Sequence, residues 1–150
     1  MTDRLQLALN VSDVEAAAAF YTKLFGVAPH KRRPGYVNFV VAEPALKLVL
    51  FENPQEAGTL NHLGVEVSSA GEVTAAAGRL AAAGLAVRST EEEQCCHALQ
   101  AKAYVDAPDV PLGFWEFYTV LDDDTADGAS ESSVCCATTT SEAACCATPA

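Results

Sequence analysis

One β-α-β-β-β unit is written twice in this chain, and a tandem repeat constrains the fold more than any other feature, because the two copies must pack against each other. Leu5-Gln6-Leu7-Ala8-Leu9-Asn10-Val11 and Asn61-His62-Leu63-Gly64-Val65-Glu66-Val67 both alternate with period two, as half-buried strands do. Each precedes a turn and an Ala-rich helix. The first runs from Val14 to Phe25, opens after Ser12-Asp13 as a candidate N-cap and stops at Gly26. The second runs from Glu72 to Ala83 and stops at Gly84. Further strands are expected over Tyr36–Val41 and Leu46–Phe51 in the first half, and over Leu85–Ser89, Gln100–Val105 and Phe114–Val120 in the second. Thr90 to His97 reads as a loop overhanging the space between the modules. The expected fold class is α+β: two tandem β-α-β-β-β modules, about 4–55 and 60–120, forming a curved mixed sheet with a metal-binding cleft on its concave face.

Alternation then points particular side chains one way. Gln6 and His62 hold equivalent positions, and Leu48 matches Glu116 if Leu46-Lys47-Leu48-Val49-Leu50 is aligned with Phe114-Trp115-Glu116-Phe117-Tyr118. Four positions would then line one cleft, three of them able to ligate a metal through an amide oxygen, an imidazole and a carboxylate. Leu48 cannot, so an ion held there keeps sites open for oxygen, water or substrate. Taken singly, His62 reads as a satisfied core histidine, Gln6 as a surface amide and Glu116 as a solvated strand end. Together they read differently: a carboxylate between Trp115 and Phe117 on a half-buried strand is costly without a partner, and the repeat brings partners to it.

Three pairs of adjacent cysteines, Cys95-Cys96, Cys135-Cys136 and Cys145-Cys146, account for every cysteine present. Neighbouring Cα atoms lie about 3.8 Å apart, below the usual disulfide range, so a disulfide framework is not expected. A vicinal pair instead offers two soft thiolates to a thiophilic centre such as trivalent arsenic, antimony or cadmium.

Length bounds the chain to one domain, expected over residues 1–121, followed by an acidic Cys-containing tail, 122–150, rich in Asp, Ser, Thr and Ala and expected to be disordered. The net charge of −11 includes six tail acids, Asp122, Asp123, Asp124, Asp127, Glu131 and Glu142, with no tail Lys or Arg, which leaves −5 for residues 1–121. That balance argues against nucleic acid or anionic membrane as a partner. Lys31-Arg32-Arg33 reads as a solvated loop without a function. The N-terminus lacks a signal pattern and no apolar run reaches about 18 residues, so the expected location is the cytoplasm, where thiols stay reduced.

The repeat, the Asn10-Val11-Ser12-Asp13 opening, Phe20-Tyr21-Thr22-Lys23-Leu24-Phe25-Gly26, the Asn61–Val67 strand and Trp115-Glu116-Phe117-Tyr118 resemble the vicinal oxygen chelate superfamily of glyoxalases, extradiol dioxygenases and bleomycin- and fosfomycin-resistance proteins. Pro34-Gly35-Tyr36-Val37-Asn38-Phe39, Pro44–Leu50 and Cys95-Cys96-His97-Ala98-Leu99-Gln100-Ala101-Lys102 are similar to the arsenic-inducible carbon–arsenic lyases and cadmium-induced proteins within it. The resemblance covers about residues 4–120. It implies an Fe(II)-dependent dioxygenase that cleaves the carbon–arsenic bond of trivalent organoarsenicals, methylated and aromatic, to release arsenite, with O2 as co-substrate. It implies Gln6, His62 and Glu116 as metal ligands, Cys95 and Cys96 as the arsenic site and Lys102 beside the substrate loop. Position 97 departs from the family pattern, being His where an aromatic residue, usually Tyr, is expected.

Nickel, cobalt or zinc would also suit a Gln/His/Glu cage. The partner implied is the small organoarsenical, with the protein a monomer or small homo-oligomer. The rival readings are a non-catalytic cadmium- or arsenite-binding protein, which explains the cysteines but not the cleft residues, and a glyoxalase-type enzyme, which would want a fourth ligand at Leu48. A metal-free antibiotic-binding fold leaves the vicinal cysteines without a use.

Overall fold

A computed structural model describes residues 2–95 and 97–123. The tail expectations from residue 124 onward and the pairs Cys135-Cys136 and Cys145-Cys146 lie outside these, as does Cys96, whereas Asp122 closes the last strand instead of opening a disordered tail. The first module consists of β1 (Arg4–Val11), α1 (Val14–Phe25), β2 (Lys31–Arg33), β3 (Tyr36–Val41) and β4 (Leu46–Glu52). The second consists of β5 (Leu60–Glu66), α2 (Ala70–Ala82), β6 (Val87–Cys95), β7 (Ala98–Asp106) and β8 (Phe114–Asp122). All eight strands form one sheet in the order β2-β3-β4-β1-β5-β8-β7-β6. Each module's first strand runs parallel to its last, β1 beside β4 and β5 beside β8, and an antiparallel seam of β1 with β5 joins the modules. The expected curved α+β architecture is thus the one observed.

Local chemistry sets the helix ends. The Asp13 carboxylate accepts from the amides of Glu15 and Ala16, and α1 ends where Gly26 takes a left-handed φ of 68°, which glycine adopts without Cβ strain. In α2, Ser69 accepts from the amide of Glu72 while the Glu72 carboxylate reaches back to the amide and hydroxyl of Ser68. This reciprocal cap starts α2 two residues earlier than the Glu72 expected.

Apolar residues fall into three groups. Val14 and Ala18 of α1 pack on Val37, Phe39, Leu48 and Leu50 of β3 and β4. Val73 of α2 packs with Val67 and Ala103. On the opposite, concave face, Ala8, Tyr36, Val49, Phe51, Tyr104 and Phe114 surround Cys95.

Several expectations are corrected. Thr90 to Cys95 belongs to β6, paired through a bulge with β7; the overhanging loop shrinks to the turn at His97, whose φ is 64°. Its run of Glu and Gln hides a strand because an edge strand needs no apolar alternation. Lys31-Arg32-Arg33 is an edge strand as well, and alternation turns Lys31 inward to 8% exposure. Leu48 does not face the cleft. Leu7 and Leu63 are equivalent and pair with Leu48 and Trp115, so Glu116 matches Val49. A slip of one residue exchanges the faces of a strand, and Leu48 packs under α1 instead. The fourth position remains a side chain that cannot ligate. Among the described residues no helix is long and apolar enough to cross a membrane.

Candidate metal and thiol site

The β1–β5 seam and the neighbouring β8 bring Gln6, His62 and Glu116 together on the concave face, each at 4% exposure or less. Gln6 Nε2 donates to Glu116 Oε1 at 2.8 Å and lies 3.1 Å from His62 Nε2, which is 3.2 Å from Glu116 Oε1. Two donors at right angles around a first-row cation, each about 2.1 Å from it, are about 3.0 Å apart. The three atoms are therefore spaced as the corners of one face of such an ion's coordination octahedron would be. Half a turn of the Gln6 amide about its terminal torsion exchanges Nε2 for Oε1 and completes a neutral, imidazole and carboxylate donor set.

Two residues absent from the sequence expectations prepare this face. Asn61 Nδ2 donates to Asn10 Oδ1 at 3.0 Å, so its Oδ1 points at His62 Nδ1, 2.7 Å away. Nδ1–H donates to that oxygen, which leaves the Nε2 lone pair facing the centre of the triangle. Gly64 lies between Gln6 and Glu116, and a Cβ there would sit 2.8 Å from Glu116 Cγ and 3.0 Å from its carbonyl oxygen. Only glycine leaves space for the carboxylate to turn inward. A lone glycine inside a strand is the signal that could have revealed this, since it marks a close approach. Asn61, beside the histidine in sequence, gave none.

Lys102 is buried at 1% exposure and spans two chemistries: its Nζ donates to Glu116 Oε2 at 3.0 Å and to Cys95 Sγ at 3.2 Å. Burial by itself would raise the pKa of Glu116, but the charge of the Lys102 ammonium outweighs it and holds the carboxyl below its ordinary value of 4.5. Glu116 is thus the anion of the site. Cys95 is itself buried at 1% exposure. It is disulfide-bonded. This departs from the expected free thiol, because redox poise rather than chain geometry decides whether a reachable pair is joined. The His97 ring lies tilted against that of Tyr36, with centroids 5.1 Å apart.

A small cavity of ≈ 10 Å³, about one water, adjoins Gln6, His62, Glu116, Lys47, Tyr118 and Asp123. No group of three His, Cys, Asp or Glu side chains converges among the described residues, which leaves the mixed triangle with its amide as the place suited to an ion.

Similarity to known proteins places the chain in a family. Residues 4–110 match the model of the glyoxalase/bleomycin resistance protein/dioxygenase superfamily. The Cadmium-induced protein CadI of Mycobacterium tuberculosis is 52% identical over 126 residues, 84% of this chain and 82% of that protein. The trivalent organoarsenical cleaving enzyme of Thermomonospora curvata is 50% identical over 121 residues, 80% of this chain and 79% of that one. The Mn(II)-bound glyoxalase of Novosphingobium aromaticivorans shares the fold at 19% identity, with a TM-score of 0.54 over 86% of this chain and 44% of that chain. With its duplicated module, its seam-borne donor triangle and half its residues shared with those relatives, the chain belongs to the glyoxalase/bleomycin resistance protein/dioxygenase superfamily, and within it to the family of the cadmium-induced and trivalent organoarsenical cleaving proteins.

Proposed function

We propose that this protein cleaves the carbon–arsenic bond of trivalent organoarsenicals and releases arsenite, with Fe(II) as resident metal and O2 as co-substrate. The observation that carries the reading is the Lys102 bridge. One ammonium touches both Cys95 Sγ and Glu116 Oε2, so a soft-atom site and a hard donor triangle stand no more than about 6 Å apart across a single buried cation. A protein that merely trapped arsenic would need only the first.

The substrate is an arsenic atom bearing one carbon group and two hydroxyls. Reduced Cys95 and Cys96 displace both hydroxyls; two sulfur–arsenic bonds form and two waters leave, carrying the thiol protons. Lys102 favours the Cys95 thiolate that begins this exchange by placing a positive charge against the sulfur. Two covalent anchors then fix which way the remaining carbon substituent projects, and the burial of Cys95 among Tyr36 and Phe51 turns it into the concave face. His62 Nε2, Glu116 Oε1 and the Gln6 amide oxygen would hold Fe(II), which when bound supplies the redox chemistry that lets O2 react with the substrate, something zinc on the same donors would not. Glu116 offsets part of the metal's charge; the neutral Gln6 leaves that charge less compensated and the ion more loosely held.

A second reading, a soft-metal trap, draws on the cysteine pairs and on the likeness to a protein named as cadmium-induced. Arsenic speciation separates the two. Methylarsenite is added to thiol-reduced, Fe(II)-loaded protein without oxygen, and O2 is then admitted, with Cys95→Ser and Glu116→Ala alongside. Arsenite that appears only with O2 and only with both residues intact supports cleavage. Methylarsenite that stays bound and unchanged leaves the trap.

A further inference from the structure

The last described residue, Asp123, ends against a cluster of cations at the cleft. Its Oδ1 accepts from Lys31 Nζ at 2.6 Å and its Oδ2 lies 2.9 Å from His30 Nε2. Lys31 is a built part of the protein rather than a surface charge: its side chain is 6% exposed, and the same Nζ donates to the carbonyl of His97, two residues beyond Cys95. Lys47, equally buried beside Tyr118, adjoins the same cavity as Asp123 and the three candidate ligands. Partial burial would raise the Asp123 pKa, yet hydrogen bonds from Lys31 and His30 and the charges of Lys31 and Lys47 hold it below the ordinary carboxylate range. Lys47 is also 3.9 Å from Glu66 Oε1, so it is Lys31 and His30 that make the setting for an anion, and the chain's own Asp123 supplies one.

The cavity beside it has room for about one water, so any larger group must displace something, and Asp123 is the side chain lining it that closes the chain's described end. Tyr36, Phe51 and Tyr118 provide aromatic walls, with the Tyr36 and Phe51 rings 5.4 Å apart. Lys31 holds the turn just beyond Cys95, and the aromatic rings line the cavity that Asp123 adjoins.

We infer that Lys31, with His30 and Lys47, forms an anion subsite, occupied here by Asp123, that receives the acidic ring substituent of an aryl arsenical, a carboxylate or a phenolate. The inference rests on the organoarsenical reading above and names the substrate class within it. Asp123 acts as the resident competitor, so the subsite favours ligands that bring their own anion. A charge-assisted bond to a buried ammonium is worth about a factor of ten over an unsubstituted ring.

The test compares capture of phenylarsenous acid with its 4-carboxy derivative by calorimetry. It uses reduced, metal-free, oxygen-free full-length protein carrying Cys135→Ser, Cys136→Ser, Cys145→Ser and Cys146→Ser, so that heat reports the Cys95 site. The quantity read is the ratio of the two dissociation constants. Asp123→Asn should raise the preference for the carboxylated ligand about tenfold, Lys31→Met should return it to about one in that background, and Lys31→Arg should keep it. A purely structural loss at Lys31 weakens both ligands together and leaves the ratio where it was, which overturns the inference; so does a ratio that Asp123→Asn does not raise. Because capture needs neither iron nor O2, a clear ratio without later cleavage sinks the enzymatic reading and spares the subsite. Cleavage with a flat ratio does the reverse, and no capture of either arsenical sinks both.

Discussion

The two modules share a plan but divide the labour unequally. In the first, α1 shares a group of eight buried apolar residues, with seven more packed around them, while the concave face receives one candidate ligand, Gln6. In the second, α2 shares a buried group of only Val67, Val73 and Ala103, with four more residues packed around them, yet β5, β6, β7 and β8 carry His62, Cys95, Lys102 and Glu116. Buried charge costs stability unless it is partnered, and the module that bears the chemistry has the thinner apolar layer to offset that cost. The first module therefore acts as the anchor against which the second holds its polar residues.

Four substitutions test this division, beginning with the largest effect. Gly64→Ala puts a methyl where Glu116 Cγ must pass and should lower metal affinity at least a hundredfold, read by equilibrium dialysis, with the circular dichroism spectrum retained. A normal affinity would mean that the triangle does not depend on the seam. Phe39→Ala, in the anchor, should cost about 3–5 kcal/mol in urea unfolding, whereas Val73→Ala should cost about 2 kcal/mol. Equal losses would erase the contrast between the modules. Asn61→Ala should weaken metal binding roughly tenfold while moving the unfolding midpoint little, since it orients His62 without filling a core. The smallest effect is one of pH. With the folded carboxyl of Glu116 below 4.5, its contribution is complete above that value and fades as pH falls beneath it, because the unfolded chain then takes up protons the folded one does not. Metal-free wild type should lose stability between pH 5 and 3 more steeply than Glu116→Gln, and parallel profiles would show that Lys102 does not hold this charge.

Elements with strong periodicity are legible in the residues themselves: α1 runs from Val14 to Phe25 as its apolar spacing and Asp13 cap predict, and the Gln6–His62 equivalence follows from two strands in the same register. Errors arise where periodicity says nothing. β2 and β6 are edge strands whose charged residues satisfy no core, so Lys31 and Glu93 read as loop. Glu93 instead accepts from the Tyr104 hydroxyl at 3.0 Å. The Leu48 alignment fails because the apolar run Leu48-Val49-Leu50-Phe51 fits either face, and only pairing with β1 decides which one turns inward. Gly64 and Asn61 act through what they omit or orient, and composition does not record either.

The seam has one more consequence, and it concerns parity. β1 and β5 are equivalent strands meeting antiparallel, so a symmetric pair of separate single-module chains would place identical residues around the same axis. Such an assembly must present its donors in twos: two amides or two imidazoles, and two carboxylates or two valines. A centre with one amide, one imidazole, one carboxylate and one blank cannot be reached that way. Joining the copies in a single chain freed Gln6 from His62 and Val49 from Glu116, and made an odd set of ligands, with a bare side for a reactant, possible at all.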